Sequence, residues 1–386
     1  MENKVVSAGA QEMISLSNDQ VRLLRLRAQR LTPRSRDSVS DVALLVKELC
    51  GIQAQDARAA VLALRVRSVG LVTADAERAR VQERTIIRTW CQRGTLHLLA
   101  TEDLVWLLPL FSPVFIAGGQ RRRAELGLDE DTCAGGIRVI RDVLASQGPL
   151  TRAEIVEQLA IHGLHIEGQA RPHLLYRAAL EGVICLGPDR GTEPTYVLLS
   201  DWVRQGQALP QEAAYAELIL RYLGAYGPAT PEDMAAWSGL SISRIRAAWR
   251  LSADQLMEVE TGGSAAWMLK TCAAWLDEPP TADWVVCLLP GFDIYMLGYQ
   301  KRDLAVPLQH AKRINAGGGI LHPALLVDGR TVGTWKSLRK KNHLEVIVEP
   351  FDQLAPEVYP GLEAEVADLA RFLEVQASLQ VTALSS

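Results

Sequence analysis

At 386 residues the chain exceeds what one ordinary hydrophobic core supports, so two to four packed units are expected. Hydrophobic residues at 48% and charged residues at 22% exclude a disordered chain, and a net charge of −4 excludes a histone-like or polybasic one. A nucleic-acid binder is still allowed, because such a protein needs a basic face rather than a basic total.

In chain order, Leu16-Ser17-Asn18-Asp19 reads as a helix cap ahead of Val21, Leu24, Ala28 and Leu31 at helical spacing. The same segment carries Arg22, Arg25, Arg27, Arg30, Arg34 and Arg36 without one acid between positions 21 and 36. A solvated helix face and a phosphate-facing surface both fit that run. A second helix is expected over Val42 to Gln55 and a third over about Ala74 to Trp90. A short strand, Arg93-Gly94-Thr95-Leu96-His97-Leu98-Leu99, follows.

Residues 137–200 and 212–270 repeat one plan: helix, Gly-Pro-x-Thr, two helices, two strand-like pieces. In each Gly-Pro-x-Thr, Gly closes one helix, Pro prevents its continuation and Thr caps the next. A third helix running into a two-stranded hairpin is the pattern of a winged helix-turn-helix. Beyond Pro279 the period changes. Trp284 to Leu289, Leu325 to Val327, Thr331 to Trp335 and Leu344 to Val348 read as strands, Asp328-Gly329 as a hairpin turn, and Glu363 to Gln376 as a closing helix. The expected fold class is α+β, tandem winged-helix domains followed by a C-terminal β-barrel-like domain. The expected units are 14–130, 131–208, 209–278 and 279–386.

The six cysteines, at 50, 91, 133, 185, 272 and 287, show no CxxC or CxC spacing, which argues against zinc fingers, Fe–S clusters and a disulfide scaffold. They are expected to be reduced and buried. Met1 to Met13 lacks the apolar region of a signal peptide and no apolar run approaches 18 residues, so a cytoplasmic protein without a membrane partner is expected. Gly317-Gly318-Gly319 lacks the Lys-Ser/Thr of a phosphate-binding loop, and Gly-x-Ser-x-Gly and His-Glu-x-x-His are absent. No metal and no cofactor is expected.

What stands out is Gly51-Ile52-Gln53-Ala54-Gln55-Asp56-Ala57, read as the end of the second helix. Two amides two residues apart at a helix terminus can turn toward one pocket, and a plain polar helix end with a cap fits the same residues. Together with Arg93-Gly94-Thr95-Leu96-His97, the tandem repeat and Leu289-Pro290-Gly291-Phe292-Asp293 with Arg302, this motif resembles the winged-helix DNA glycosylase superfamily that includes AlkZ and YcaQ. The resemblance runs in order over about residues 16 to 350. Gln55 places the chain with the Gln-apolar-Gln members, since the other branch carries Asp there.

That resemblance implies a monofunctional DNA glycosylase in which Gln53 and Gln55 are the catalytic pair, with winged helices and a β domain around a DNA channel. An amide is too weak an acid or base to labilise an ordinary N-glycosidic bond. A purine alkylated at N7 or N3 is already cationic and leaves well, so it needs only a positioned water and a polar site. Hydrolysis of N-alkylpurines, extending to interstrand crosslinks, is the expected reaction, in alkylation-damage base excision repair at the nucleoid. The partner is double-stranded DNA containing alkylated purines, bound by a monomer.

Three further residues are candidates for substrate contact, each with a structural alternative. His97 contacts lesion or backbone, or is a satisfied structural histidine. Asp56 orients the glutamines or caps a helix. Asp293 takes part in the chemistry, or caps a turn or pairs with Arg302. For DNA contact the candidates are Arg22 and Arg25, then Arg121, Arg122 and Arg123 as a flexible basic loop after Gly118-Gly119. Lys336, Arg339, Lys340 and Lys341 complete the set on a hairpin, with Trp335 as a duplex-probing aromatic. The competing function is a non-catalytic winged-helix DNA-binding regulator. A module binding a protein partner through its β domain has no specific support.

Overall fold

The computed structural model describes residues 13–32, 41–203, 206–278 and 284–383; Arg34 and Arg36 of the basic run fall outside them. Strand β1 (Ile14–Leu16) leads into helix α1 (Asn18–Ala28), opened by a capping box in which the Gln20 N–H donates to the Ser17 hydroxyl and the Ser17 N–H to the Gln20 side chain. Helix α2 (Val42–Glu48) is shorter than its sequence suggests. Cys50 at φ 54° and Gly51 at φ 97° turn the chain, and Gly51 lies so close to Leu99 that an added Cβ would meet its Cδ2 at 2.7 Å. The chain then enters strand β2 (Ile52–Gln53), so the glutamine motif sits on a strand rather than a helix end.

A helix not anticipated, α3 (Ala57–Arg65), follows. The expected helix over 74–90 divides into α4 (Thr73–Glu77), a π-helical turn through Gln82, and strand β3 (Ile86–Trp90), where Ile86, Ile87 and Thr89 favour extended backbone. Strand β4 (Leu96–Ala100) and helices α5 (Leu104–Gly118) and α6 (Gln120–Glu125) complete this part. By length and mean hydropathy, 1.2, residues 101–118 match a membrane-spanning helix. Here Leu104, Trp106, Leu107, Leu110 and Phe111 are instead buried in the largest core of the protein.

The next stretch comprises α7 (Glu130–Gln147), β5 (Leu150–Thr151), α8 (Arg152–Ile161), α9 (Ala170–Leu180) and the hairpin β6 (Ile184–Arg190) and β7 (Glu193–Leu198). The same order recurs in α10 (Gln211–Tyr226), α11 (Pro231–Ser238), α12 (Ile242–Leu251), β8 (Leu256–Thr261) and β9 (Ser264–Leu269). Thr151 and Thr230 start α8 and α11, each in a capping box, with Glu154 and Asp233 respectively. Where the first copy pairs β5 with β7, the second has a single bridge between Ala229 and Trp267.

These stretches interlock. One six-stranded sheet, ordered β2-β4-β3-β6-β7-β5, crosses from residues 14–130 into 131–208 through Arg88 opposite Leu186. Strand β1 pairs in parallel with β8, Ile14 opposite Val259, tying the start of the chain to the third stretch.

The C-terminal part contains β10 (Val286–Leu289), α13 (Ile294–Leu297), α14 (Ala311–Ile314), the small hairpin β11 (Asn315–Gly317) and β12 (Ile320–Leu321), then β13 (Ala324–Val327), β14 (Arg330–Lys340), β15 (His343–Pro350), α15 (Val358–Phe372) and β16 (Gln376–Val381). Its sheet runs β10-β13-β14-β15-β16, an open half-barrel. Asp328 at φ 46° and Gly329 at φ 76° make the two-residue turn between β13 and β14. Alternation divides the sheet: Cys287, Leu289, Ala324 and Leu326 pack with Leu26 and Val66 from the N-terminal part. Val286, Leu288, Leu325 and Val346 pack under Val358, Leu362 and Leu369 of α15. All six cysteines are free, and all but Cys272 are buried.

Candidate active site

Pairing of β2 and β3 with β4 sets Gln53 opposite His97 and His97 opposite Thr89, so those three side chains share one face of the sheet. Ile52, Leu98 and Arg88 occupy the other. Gln53 is only 8% exposed. Its Oε1 accepts a hydrogen bond from Nη2 of Arg93, whose Nη1 donates to the Trp237 carbonyl on α11. Arg93 sits at φ 53° in the turn between β3 and β4, followed by Gly94 at φ 65°. A Cβ on Gly94 would collide with the Tyr176 hydroxyl, so the turn is wedged against α9 as well as α11.

His97 is buried, and its Nδ1 lies 3.0 Å from the Thr95 carbonyl. A carbonyl only accepts, so Nδ1 carries the proton and Nε2 keeps a lone pair. Burial, with the positive charge of Arg93 beside it, pushes the imidazole down to about 3, so it is neutral at physiological pH.

The motif's backbone is held from the opposite face. The Ala54 N–H donates to the Leu96 carbonyl at 2.7 Å, while Arg88 donates through Nε to the Ala54 carbonyl at 3.0 Å and through Nη2 to the Gln55 carbonyl at 3.4 Å. Gln55 itself is exposed. Asp56 caps α3, its Oδ1 accepting from the N–H groups of Arg58 at 2.8 Å and Ala59 at 3.1 Å. Arg88 and Arg93 were missed as partners of the glutamine motif. Arg93 opens the Arg93-Gly94-Thr95-Leu96-His97 segment, but nothing local in sequence ties it to a residue forty positions earlier.

Asp293 takes a different place from its expected pair. It caps α13 through the Tyr295 N–H at 2.8 Å and grips Arg67 with both oxygens, at 2.7 and 2.8 Å, both side chains fully buried. Arg302 instead donates to the Met296 carbonyl at 2.6 Å. At that buried junction Gln29 and the Ala63 carbonyl accept from the Nη groups of Arg67 beside the two bonds to Asp293.

The basic segments sort into two kinds. On α1, Arg22 is paired with Asp19 and bonded to the Leu304 carbonyl, and Arg25 donates to the Pro228 carbonyl at 3.0 Å while lying over the Tyr299 ring. Arg27 meets Glu278 and Trp275, and Arg30 meets Glu48. These charges bind the protein to itself, because acids and rings from elsewhere in the chain cover them. Arg121, Arg122 and Arg123 lie on α6 rather than a flexible loop: Arg121 and Arg122 share Glu125, and Arg123 is buried against the Ile116 carbonyl. Trp335 is buried, its indole N–H donating to the Leu289 carbonyl at 2.7 Å, so it is a core residue of the β domain and no duplex probe. Lys336, Arg339, Lys340 and Lys341 are exposed on the β14–β15 hairpin, with Lys336 paired to Glu349 and Lys340 to Glu345.

The family model for AlkZ-like DNA glycosylases matches residues 46–372, a span that includes the glutamine strand, the Arg93 turn and all of the half-barrel except β16. The chain belongs to the AlkZ-like DNA glycosylase family. A curated relative, an interstrand DNA cross-link repair glycosylase of Streptomyces sahachiroi, is 31% identical over 379 residues, covering 91% of this chain and 95% of the relative. The solved structure of the Streptomyces sahachiroi DNA glycosylase AlkZ superposes with a TM-score of 0.81 at 27% identity, covering 96% of this chain and all of that one. The α+β fold of this AlkZ-like chain, with its C-terminal half-barrel, is therefore one shared with a solved member.

Proposed function

We propose that this AlkZ-like glycosylase hydrolyses the N-glycosidic bond of cationic N-alkylpurines in duplex DNA, including those that tether two strands, and acts as a monomer without a covalent enzyme intermediate. The observation that carries the reading is the buried, bonded Gln53 beside a neutral His97, with Gln55 exposed two residues on. None of these groups supplies a strong acid, which suits a leaving base that is already positively charged. Amide donors and acceptors suffice to hold a water and the deoxyribose as oxocarbenium character develops. The name of the Streptomyces relative supports the inclusion of crosslinked substrates.

The test is release of free base from a duplex carrying N7-methylguanine or a nitrogen-mustard crosslink. Release that disappears in Gln53→Ala and Gln55→Ala supports the reading. Binding of undamaged duplex in a sequence-selective way, with no base released from either substrate, would favour a regulator instead.

A further inference from the structure

We infer that Arg93 is a positioning residue of the reaction, fixing which end of the Gln53 amide faces the substrate; the inference rests on the catalytic reading of Gln53 given above. A glutamine amide can present oxygen or nitrogen on either side, and its surroundings decide which. A guanidinium carries donors only, so the group beside Arg93 must be Oε1, and the NH2 is left to point the other way. Gln53 accordingly offers hydrogen-bond donors toward the substrate, and the acceptor work falls to another group.

Three constraints hold the guanidinium itself in place. Its second arm is bonded to the Trp237 carbonyl, its backbone is at φ 53°, and the glycine after it is wedged against Tyr176 and Phe115. Across the turn, Gly239 after α11 leaves so little room that an added Cβ would lie 3.2 Å from the Arg93 Cα. The turn thus gathers α5, α9 and α11 behind one strand residue. One arm of the fork is held by the Trp237 carbonyl and the other is bonded to Gln53, so the guanidinium ties the amide to α11. Burial and the charge of Arg302 pull the Arg93 guanidinium down to about 10, which leaves it charged at physiological pH.

The deciding experiment is a double-mutant cycle read by single-turnover base release from an N7-methylguanine duplex, with duplex affinity measured in parallel. Arg93→Met is expected to slow release on the order of 10²-fold, the usual cost of a misplaced catalytic group, with affinity within about twofold of wild type. Arg93→Lys, which keeps charge and a single donor, should recover part of the rate. The double variant Arg93→Met/Gln53→Ala should be no slower than Gln53→Ala alone, because Arg93 acts only through Gln53. Losses that multiply would mean an independent role and overturn the inference. So would a wild-type rate in Arg93→Met while Gln53→Ala is inactive, an outcome that leaves the glutamine reading standing. A wild-type rate in Gln53→Ala removes both. If Arg93→Met does not fold, Gln53→Glu decides: it keeps an acceptor for Arg93 but has no NH2. Loss of release with the thermal midpoint retained supports the donor assignment, and release at the wild-type rate overturns it.

Discussion

Positive charge is used in opposite ways in the interior of the N-terminal half and at the tip of the β14–β15 hairpin. Inside, Arg93, Arg67 and Arg25 end on an amide, a carboxylate and an aromatic ring, and each fixes a geometry. At the hairpin, Arg339 and Lys341 are exposed, and the exposed Lys336 and Lys340 meet the half-buried Glu349 and Glu345, solvent-facing pairs worth about 0–1 kcal/mol. The inward arginines fix internal geometry, whereas the cations of the hairpin face solvent, where a polyanion could meet them. What a basic run does is decided by where its counter-charges lie.

Asp293→Ala should separate the two uses of charge most widely. It strands a fully buried Arg67, so about 3–5 kcal/mol of stability should disappear in chemical denaturation, with the salt slope of duplex binding unchanged in whatever folds. Next is Gln53→Ala, expected to cost on the order of 10²–10³-fold in single-turnover base release, by analogy with loss of one oxyanion-hole donor, at nearly constant duplex affinity. Neutralising Arg339, Lys340 and Lys341 together should do the reverse, weakening all duplexes alike and reducing the slope of log K against log salt by about 2–3, while the rate on saturated DNA holds. A hairpin variant with an unchanged slope would remove that region from the DNA path. Arg25→Met should cost roughly 1–2 kcal/mol of stability, from the lost ring contact and carbonyl bond, and leave the slope alone.

A further effect concerns pH. The folded His97 titrates at about 3, below its ordinary value of 6.5, so between these values the unfolded chain binds the extra proton. Its contribution to stability is present above about pH 6.5 and is lost as pH falls toward 3. His97→Gln should flatten that part of the denaturation profile, while base release by the wild type stays level between pH 7 and 8 as far as this imidazole governs it.

Much of the architecture was legible because its signals are local. Thr151 and Thr230 cap helices within three residues, Asp328-Gly329 turns a hairpin, and β10, β13, β14 and β15 follow their apolar patterns. Longer-range features were not legible. The helix expected to carry the glutamines ends early because Gly51 must pass beneath Leu98 and Leu99, which belong to a strand half a hundred residues on. Asp293 finds Arg67 across 226 positions, Arg27 of α1 finds Glu278, and Arg30 just beyond α1 finds Glu48. Trp335 looked like a probe because charged neighbours surround it in sequence, whereas strand alternation turns it inward. The glutamines themselves were picked out by their spacing, and that spacing fits an extended segment better than a helix end.

The pairing of β1 with β8 has a consequence for how the protein is made. Ile14 leaves the ribosome early, but the edge it must occupy, at Val259, emerges after most of the chain. At ordinary synthesis rates that is a delay of tens of seconds, during which three residues bearing the exposed Ile14 have no sheet to join. β1, the first strand among the described residues, therefore cannot be seated until the third stretch has been made.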